Sequence, residues 1–286
     1  MSPAGRRTVA RLARDACLLA AAGAFLLPFY VVVVTAVKPL AEVLAGSMLA
    51  LPAEWTAAPL RRVWSQACIA AACDGLAGGF WTSTRIAVPA TTVSVLLGAV
   101  NGYALTQWRL PGAHALFGLL LAANLLPYQM VLVPLAVTLR TLGLFGTVEG
   151  LVLVHVAYGM PYTTLLFRNF YLGLHPEVVG AARLDGAGFW RTFRHVVLPL
   201  SRPMLAIAAV LQFAAIWNDY LFGLVFGGRQ PPVTVLLNNL ANGEAGAKEP
   251  NVALAGVLLT ALPPLVLYVA SGRWLMRGLA GLPDPR

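Results

Sequence analysis

The feature that most constrains this chain is a series of long apolar stretches without a charged residue. Three of them hold 22, 23 and 23 residues, from Ala16 to Val37, from Ile86 to Trp108 and from Pro250 to Gly272. A helix needs about 20 apolar residues to cross the hydrocarbon core of a bilayer. Each stretch is therefore predicted to be a membrane-spanning helix.

Three further stretches complete a set of six. Leu110 to Leu139 holds 30 uncharged residues, Gly150 to Phe167 holds 18, and Pro203 to Asn218 holds 16. Hydrophobic residues make up 59% of the chain and charged residues only 11%, against about a quarter charged in soluble domains. We therefore predict an all-α membrane protein with six transmembrane helices, and we exclude a soluble globular domain.

The basic residues indicate how these helices are oriented. The chain carries 20 Lys and Arg against 11 Asp and Glu, and they lie between the apolar stretches, which favours a role in membrane orientation over nucleic-acid binding. With the N-terminus in the cytoplasm, 13 basic residues fall inside and 7 outside. The positive-inside rule then predicts that both termini are cytoplasmic.

This topology predicts three parts of the chain. Residues 1–15 form a cytoplasmic N-terminal segment, residues 16–276 a six-helix transmembrane domain, and residues 277–286 a cytoplasmic C-terminal tail. The first apolar stretch is longer than a signal-peptide core and no small-residue cleavage site follows it. We expect it to remain as the first spanning helix.

Two of the three cysteines, Cys68 and Cys73, lie in the first outside loop. If that loop is helical, their five-residue spacing places them on different faces of the helix. We therefore expect no disulfide between them.

The one long inside loop, about residues 172–203, carries the most specific pattern. Pro176 and Glu177 are typical of a first helical turn, because proline has no amide to leave unpaired and a carboxylate suits the positive end of a helix. A short helix is predicted to run to about Leu184 and to end at Gly186 in the cap position.

A second short helix is predicted to begin at about Phe189 and to end before Leu198-Pro199. The two helices form a hairpin, and Ala181-Ala182 leaves one of its surfaces nearly without side chains, which favours close docking into a groove. The alternative is a connecting loop on the lipid headgroups, whose basic side chains touch phosphate: Arg191, Arg194 and Arg202.

This loop resembles the signature of the permease subunits of ATP-binding-cassette (ABC) importers. In that family Glu-Ala-Ala is followed by three residues, Gly, nine residues and Ile-x-Leu-Pro. Here Ala181-Ala182 is followed by three residues, Gly186, nine residues and Val196-Val197-Leu198-Pro199. Asp185-Gly186-Ala187 is also similar to the Asp-Gly-Ala usual in the family.

The resemblance implies that this hairpin contacts an ATPase subunit. The residues it assigns to that contact are Glu177, Gly180, Ala181, Ala182, Asp185, Gly186, Ala187, Leu198 and Pro199. Gly180 stands where the family usually has Glu, so an ion pair made from that position is in question. Glu177, one turn earlier, is a partial substitute.

Other motifs extend the resemblance over nearly the whole chain. Arg109-Leu110-Pro111-Gly112 and Leu142-Gly143-Leu144 match family turns, and Trp217-Asn218-Asp219 is similar to the Trp-Asn-Glu/Asp of the carbohydrate-type subfamily. The segments Asp185–Trp190, Trp217–Gly223 and Val233–Asn239 look closest to glucose/mannose-type permeases. The resemblance therefore implies a sugar, with a monosaccharide such as glucose or mannose expected and an oligosaccharide or polyol as the alternative.

The family's division of labour sets the expected partners. A type I ABC importer permease pairs with a second permease subunit, usually a different chain, and with two ATP-binding subunits and an extracytoplasmic sugar-binding protein, in the plasma membrane of a bacterium or archaeon and in contact with its lipid. This chain has no phosphate-binding Gly-x-x-x-x-Gly-Lys-Ser/Thr motif, so ATP is expected to be bound and hydrolysed by the partner ATPase. We expect no cofactor, metal site or catalytic residue in the chain itself.

Polar and aromatic residues at membrane depth are the candidates for sugar contacts. Sugar sites pair aromatic faces with amides and carboxylates, and the fourth and fifth helices supply both: Tyr158, Gln212, Trp217, Asn218 and Asp219. Interhelical hydrogen bonds are the alternative role for such residues, and for His155. The partner subunit is an equally good source of sugar contacts.

Two other classes of membrane protein fit the sequence less well. A proton-coupled secondary transporter should show a carboxylate in mid-helix and two related halves, and neither is evident. An intramembrane enzyme needs convergent Ser/His or His/Asp groups at membrane depth, and the sequence offers no such set.

Overall fold

A computed structural model of the chain describes residues 3–69, 73–108, 111–242 and 249–280. Every regular element in these ranges is a helix. The helices are, in chain order, α1 Pro3–Ala36, α2 Leu40–Ala45, α3 Ala58–Ser65, α4 Ala77–Gln107, α5 Ala113–Leu125, α6 Tyr128–Thr141, α7 Val148–Leu172, α8 Pro176–Leu184, α9 Phe189–Leu200, α10 Arg202–Trp217, α11 Leu221–Phe226, α12 Val233–Asn242 and α13 Pro250–Ala280. The first two residues of the predicted turn at 109–112, and residues 281–286 of the predicted tail, lie outside the described ranges.

Six predicted spans correspond to four unbroken helices and two bent pairs. Most of α1, all of α4 and α7, and most of α13 are long and apolar enough to cross a membrane. The pairs α5–α6 and α9–α10 reach that length only together, and their helices are inclined by 100° and 78°. The described helices thus provide four spans, and up to six if each bent pair counts as one, although the prediction placed α9 in the cytoplasmic hairpin and only α10 in the membrane.

The third span breaks at Leu126 and Pro127. Leu126 is extended (φ −66°, ψ 129°), and Pro127 directly precedes the first residue of α6. A proline disfavours helical backbone in the residue before it and has no amide to continue the hydrogen-bond ladder. The chain therefore turns here, and the Leu126 carbonyl accepts a hydrogen bond from the Tyr158 hydroxyl at 2.9 Å.

The second helix of the hairpin continues further than predicted. We expected it to end before Leu198, but α9 runs on to Leu200. Over Phe193–Val197 the helix has a wider turn, in which the Leu198 amide bonds to the Phe193 carbonyl. Pro199 has no amide proton, but it lies in the first turn of the following segment Leu198–Leu200, where no amide donor is needed. The break comes instead at Ser201, ahead of α10.

The described helices divide into two compact units. The first takes in described residues of Met1–Ala77 and Leu237–Ala261. In it Lys38 is almost fully buried, and its Nζ donates to the carbonyls of Ser47 at 3.3 Å and Ala50 at 2.5 Å. Asn251 Nδ2 in turn donates to the Lys38 carbonyl at 3.0 Å. These bonds tie the predicted outer segment to the start of α13.

The expectation of two separate cysteines in this unit is wrong, because Cys68 and Cys73 form a disulfide. α3 ends at Ser65, so neither cysteine lies on a helix and the spacing argument does not apply. Gly75, at φ +68°, turns the chain back, and its amide bonds to the Ala67 carbonyl at 3.1 Å. This turn brings the two cysteines together.

The second unit is built on a close crossing of α4 and α7. A side chain at Gly98 would overlap Thr163, and one at Gly102 would lie 2.8 Å from the backbone nitrogen of Arg168. The Thr163 hydroxyl donates to the Ser94 carbonyl at 2.8 Å. Small residues let the two helix backbones approach, and the hydrogen bond then fixes their register.

A hydrophobic core lies where α4 and α7 meet the hairpin. Its fully or nearly fully buried members are Val95, Ala99, Tyr103, Phe167, Tyr171, Val179, Phe193, Val197, Met204 and Ala208. Rings from α4 and α9 pack directly in it, since Tyr103 lies 4.8 Å from Phe189 and 5.5 Å from Phe193 between ring centroids. The hairpin is therefore packed onto the ends of the spanning helices.

Candidate functional site

A cavity of about 780 Å³ lies in the second unit among α5, α6, α7, α10 and α11. Its lining combines amides, aromatic rings, one imidazole and one carboxylate. The residues are Asn124, Tyr128, Gln129, His155, Tyr158, Gly159, Tyr162, Gln212, Ala215, Ile216, Asn218, Asp219, Tyr220, Leu221 and Phe222. The volume falls within the range of small-molecule sites.

Helical periodicity places α7 along one wall of the cavity. His155, Tyr158, Gly159 and Tyr162 follow each other at spacings of three, four and seven residues from the first, which is one face of a helix. The absence of a side chain at Gly159 makes room for Gln212, whose amide occupies the place that a Cβ would take. The amide is thus held between α7 and α10.

Hydrogen bonds hold Asp219 two residues beyond the end of α10. Its Oδ2 accepts from the Gly223 amide at 3.1 Å, and its backbone carbonyl accepts from the Thr234 hydroxyl at 2.6 Å. His155 Nε2 lies 3.9 Å from the same Oδ2. Sequence reasoning gave His155 no acidic neighbour, because the two residues are 64 positions apart and are joined only by the packing of α7 against α10 and α11.

Aromatic rings form a second part of the wall. Tyr128 and Tyr158 lie edge to face with centroids 6.3 Å apart, and each lies within 5.7 Å of the Phe222 ring. The bend before α6 brings Tyr128 to this position. The rings offer apolar faces beside the polar groups of Asn218 and Asp219.

Four of the five predicted sugar-contact residues line this cavity: Tyr158, Gln212, Asn218 and Asp219. Trp217 does not. It is only 2% exposed, and its ring packs 5.2 Å from Phe80 and 5.5 Å from Phe213 between centroids. At the last turn of a helix, consecutive residues point in different directions, so Trp217 faces the helix bundle while Asn218 faces the cavity.

Sequence reasoning did not propose His155, Tyr128 or Tyr162 as cavity residues. The pattern at His155, Tyr158 and Tyr162 was a usable signal, because it marks one helix face. Tyr128 gave no such signal, since the 100° bend that exposes it to the cavity is a tertiary feature.

In the hairpin the first helix ends as predicted. α8 stops at Leu184, and Gly186 follows in the left-handed region at φ +78°. The Gly186 amide bonds to the Arg183 carbonyl and the Ala187 amide to the Ala182 carbonyl, both at 3.0 Å. These two bonds form a Schellman motif, in which glycine is favoured because its backbone adopts positive φ without strain.

The outer surface of the hairpin carries small and apolar residues. Ala181 is exposed, Leu184 is 91% exposed and Trp190 is 66% exposed. At Gly180 a Cβ would meet nothing within 4 Å, and Glu177 is exposed one turn earlier. Within the described part of the chain, this surface is open to a partner.

Comparison with known proteins places the chain in a family. The profile described as "Binding-protein-dependent transport system inner membrane component" matches residues 88–280. A probable ABC transporter permease protein of Pyrococcus horikoshii is 46% identical over 155 residues, which cover 54% of this chain and 56% of that protein. A xylose/arabinose import permease protein of Haloferax volcanii is 31% identical over 291 residues, covering 94% and 92%.

The fold has a close structural counterpart. A chain from the crystal structure of a bacterial ABC transporter involved in the import of the acidic polysaccharide alginate superposes with a TM-score of 0.80 at 20% identity, covering 96% of this chain and 99% of that one. This match confirms the expected all-α importer fold, and the related permeases confirm the resemblance found in the hairpin. The chain belongs to the inner membrane components of binding-protein-dependent transport systems, as a permease of the ABC importer type.

Proposed function

We propose that this chain is the permease subunit of an ATP-driven importer for an uncharged sugar, in which it forms half of the translocation pathway and couples it to a separate ATPase. The observation that carries the proposal is the composition of the cavity wall. Amide groups, a carboxylate and tyrosine rings converge there, and these groups bind hydroxyls and sugar ring faces.

The charge of the wall favours an uncharged substrate. Among the described residues that line the cavity, Asp219 is the one carboxylate, and there is no Lys or Arg. A phosphorylated or uronic substrate would bring a second negative charge beside Asp219 without a Lys or Arg to compensate it. We take a monosaccharide such as glucose or mannose as the first substrate to test, with a neutral oligosaccharide or a polyol as the alternative.

The hairpin supplies the proposed coupling to the ATPase. Its exposed surface has a nearly bare stretch at Ala181 and a protruding apolar side chain at Leu184, which suits insertion into a groove. The partners that follow are a second permease subunit, two ATP-binding subunits and an extracytoplasmic binding protein.

The proposed topology places both termini and the hairpin in the cytoplasm. The disulfide between Cys68 and Cys73 supports this orientation, because disulfides persist outside the reducing cytoplasm and the first loop is then external. A reporter fused after Arg286 or near Arg194 should be cytoplasmic, and one near Thr56 should be external. An external C-terminus would overturn the topology.

The test of substrate is made on the complete complex in vesicles. This chain, its partner permease, the ATPase and the binding protein are reconstituted, and ATP hydrolysis and uptake are measured with glucose, mannose, xylose, a neutral disaccharide and glycerol phosphate. We expect stimulation by at least one neutral sugar and none by glycerol phosphate. Stimulation by the anion alone would overturn the proposed substrate class.

A proton-coupled transporter is the second candidate, and the pair of His155 and Asp219 at 3.9 Å is the observation in its favour. The same vesicles separate the two functions. Uptake driven by a proton gradient without ATP would support the second candidate, whereas uptake that requires ATP supports the first.

A further inference from the structure

Helix α8, the first helix of the hairpin and in our proposal its coupling helix, presents two different faces. Val179 and Arg183 are four residues apart and share one face, and Val179 is buried in the core beside Tyr171 and Phe193. Leu184, on another face, is almost fully exposed. The first half of α8 is therefore fixed by the core through Val179, and Arg183 is the residue of the second half on the same face.

Arg183 attaches this second half of α8 to the end of α4. Its Nη2 donates to the backbone carbonyl of Gln107, the last residue of α4, and its guanidinium lies 4.9 Å above the ring of Trp108. Carbonyls at the end of a helix have no partner within the helix and carry partial negative charge, so a cation suits this place. The guanidinium also stacks on an aromatic face better than an ammonium does.

Gln107 links the same point to α7. Its side-chain Nε2 donates to the Tyr171 carbonyl at 3.0 Å, near the end of α7. The Trp108 ring contacts Phe189 of α9 at 5.3 Å between centroids. The ends of α4, α7, α8 and α9 thus converge on the group that Arg183 contacts.

α4 and α7 continue from this point to the cavity as one body. Their close crossing leaves no room for a side chain at Gly98 or Gly102, and the bond from Thr163 to Ser94 fixes their register. α7 carries Tyr158 of the cavity wall. A displacement of the end of α4 is therefore expected to move α7, which forms one wall of the cavity.

We propose that Arg183 is a positioning residue that transmits movement of the coupling helix to the α4–α7 pair. The inference rests on the proposed function, since it assumes that an ATPase moves α8. Arg183 acts through the α4 carboxyl end and contacts neither sugar nor ATP. Without it, α8 can still dock on the ATPase through Leu184 and Ala181, but its movement is partly lost before it reaches the cavity.

The distinguishing measurement is the amount of sugar taken up per ATP hydrolysed. In the complete reconstituted complex, Arg183→Ala should keep its ATPase subunits and hydrolyse ATP at a rate within about twofold of wild type. Uptake per ATP should fall about tenfold, as expected for the loss of a hydrogen bond to a charged group. Arg194→Ala, at an exposed arginine of the same hairpin, is the matched control and should leave the ratio unchanged.

Two further variants separate transmission from a general loss of structure. Arg183→Lys keeps the charge but not the planar stacking, and Trp108→Leu removes only the ring, so both should lower the ratio less than Arg183→Ala does. If Arg183→Ala does not fold into the membrane at all, these two variants decide, and an unchanged ratio in both overturns the inference.

The other outcomes are equally definite. An unchanged ratio in Arg183→Ala overturns the inference, and so does loss of the ATPase, because Arg183 would then serve docking. If wild type and Arg194→Ala neither retain an ATPase nor transport sugar, it is the proposed function that fails.

Discussion

Replacement of Gly186 tests whether the shape of the hairpin turn determines ATPase docking. Gly186 lies at φ +78°, and a Cβ built there would meet nothing within 4 Å. The cost of a side chain is therefore one of backbone conformation, about 1–2 kcal/mol for a residue other than glycine in the left-handed region. A cost of this size changes the population of the native turn by about 5- to 30-fold.

We expect Gly186→Val to reduce co-purification of the ATPase and sugar-stimulated hydrolysis by a factor in that range. Gly186→Asn should retain most of both, because asparagine tolerates positive φ. Thermal unfolding of the membrane helices should be unchanged in each variant, since a Cβ at this position would meet nothing within 4 Å. The comparison of Val with Asn separates backbone strain from simple bulk.

Gly188 offers a matched control two residues away. It has equally open surroundings but lies at φ −73°, ahead of α9, where serine is a favoured cap residue. Gly188→Ser should therefore leave docking intact. If Gly186→Val holds its ATPase as well as Gly188→Ser does, the turn geometry has no part in docking and the reasoning fails.

Three further predictions follow from the packing. Gly102→Val should separate α4 from α7 and destabilise the membrane domain by about 1–3 kcal/mol, because the side chain would meet the backbone of α7 rather than a flexible side chain. The loss is measured as a lower melting temperature in detergent, and an unchanged melting temperature would contradict the close crossing. Gly159→Ala should displace the Gln212 amide and change the sugar concentration for half-maximal uptake while the ATPase stays bound; equal values for variant and wild type would mean that this amide does not reach the sugar. In membranes made without reductant, a maleimide reagent should label neither Cys68 nor Cys73, and labelling of both before reduction would contradict the disulfide.

Much of the fold was predictable because its determinants are local. Uncharged stretches of about 20 residues must form helices in a bilayer, since each backbone amide and carbonyl needs a partner within the segment. The hairpin was predictable for a similar reason. Pro176 at the start of α8 and Gly186 after its end are signals read from neighbouring residues, and the structure has both boundaries as expected.

Features that depend on long-range packing were not predictable in the same way. The disulfide between Cys68 and Cys73 was missed because the expectation assumed a helical loop, whereas α3 already ends at Ser65. The continuation of α9 past Pro199 was missed because a wider turn supplies the bonding that proline cannot. In both cases the expectation assumed a regular α-helix at a place where the backbone is not one.

The candidate site shows the same division. Sequence alone placed polar and aromatic candidates on the fourth and fifth helices, and the resemblance predicted that the hairpin contacts the ATPase. Only the tertiary structure decided that Asn218 faces the cavity while its neighbour Trp217 faces the bundle, and that His155 meets Asp219 across 64 residues. The physical reason is that hydropathy and capping act within one segment, whereas the direction of a side chain depends on which helices cross and where each one bends.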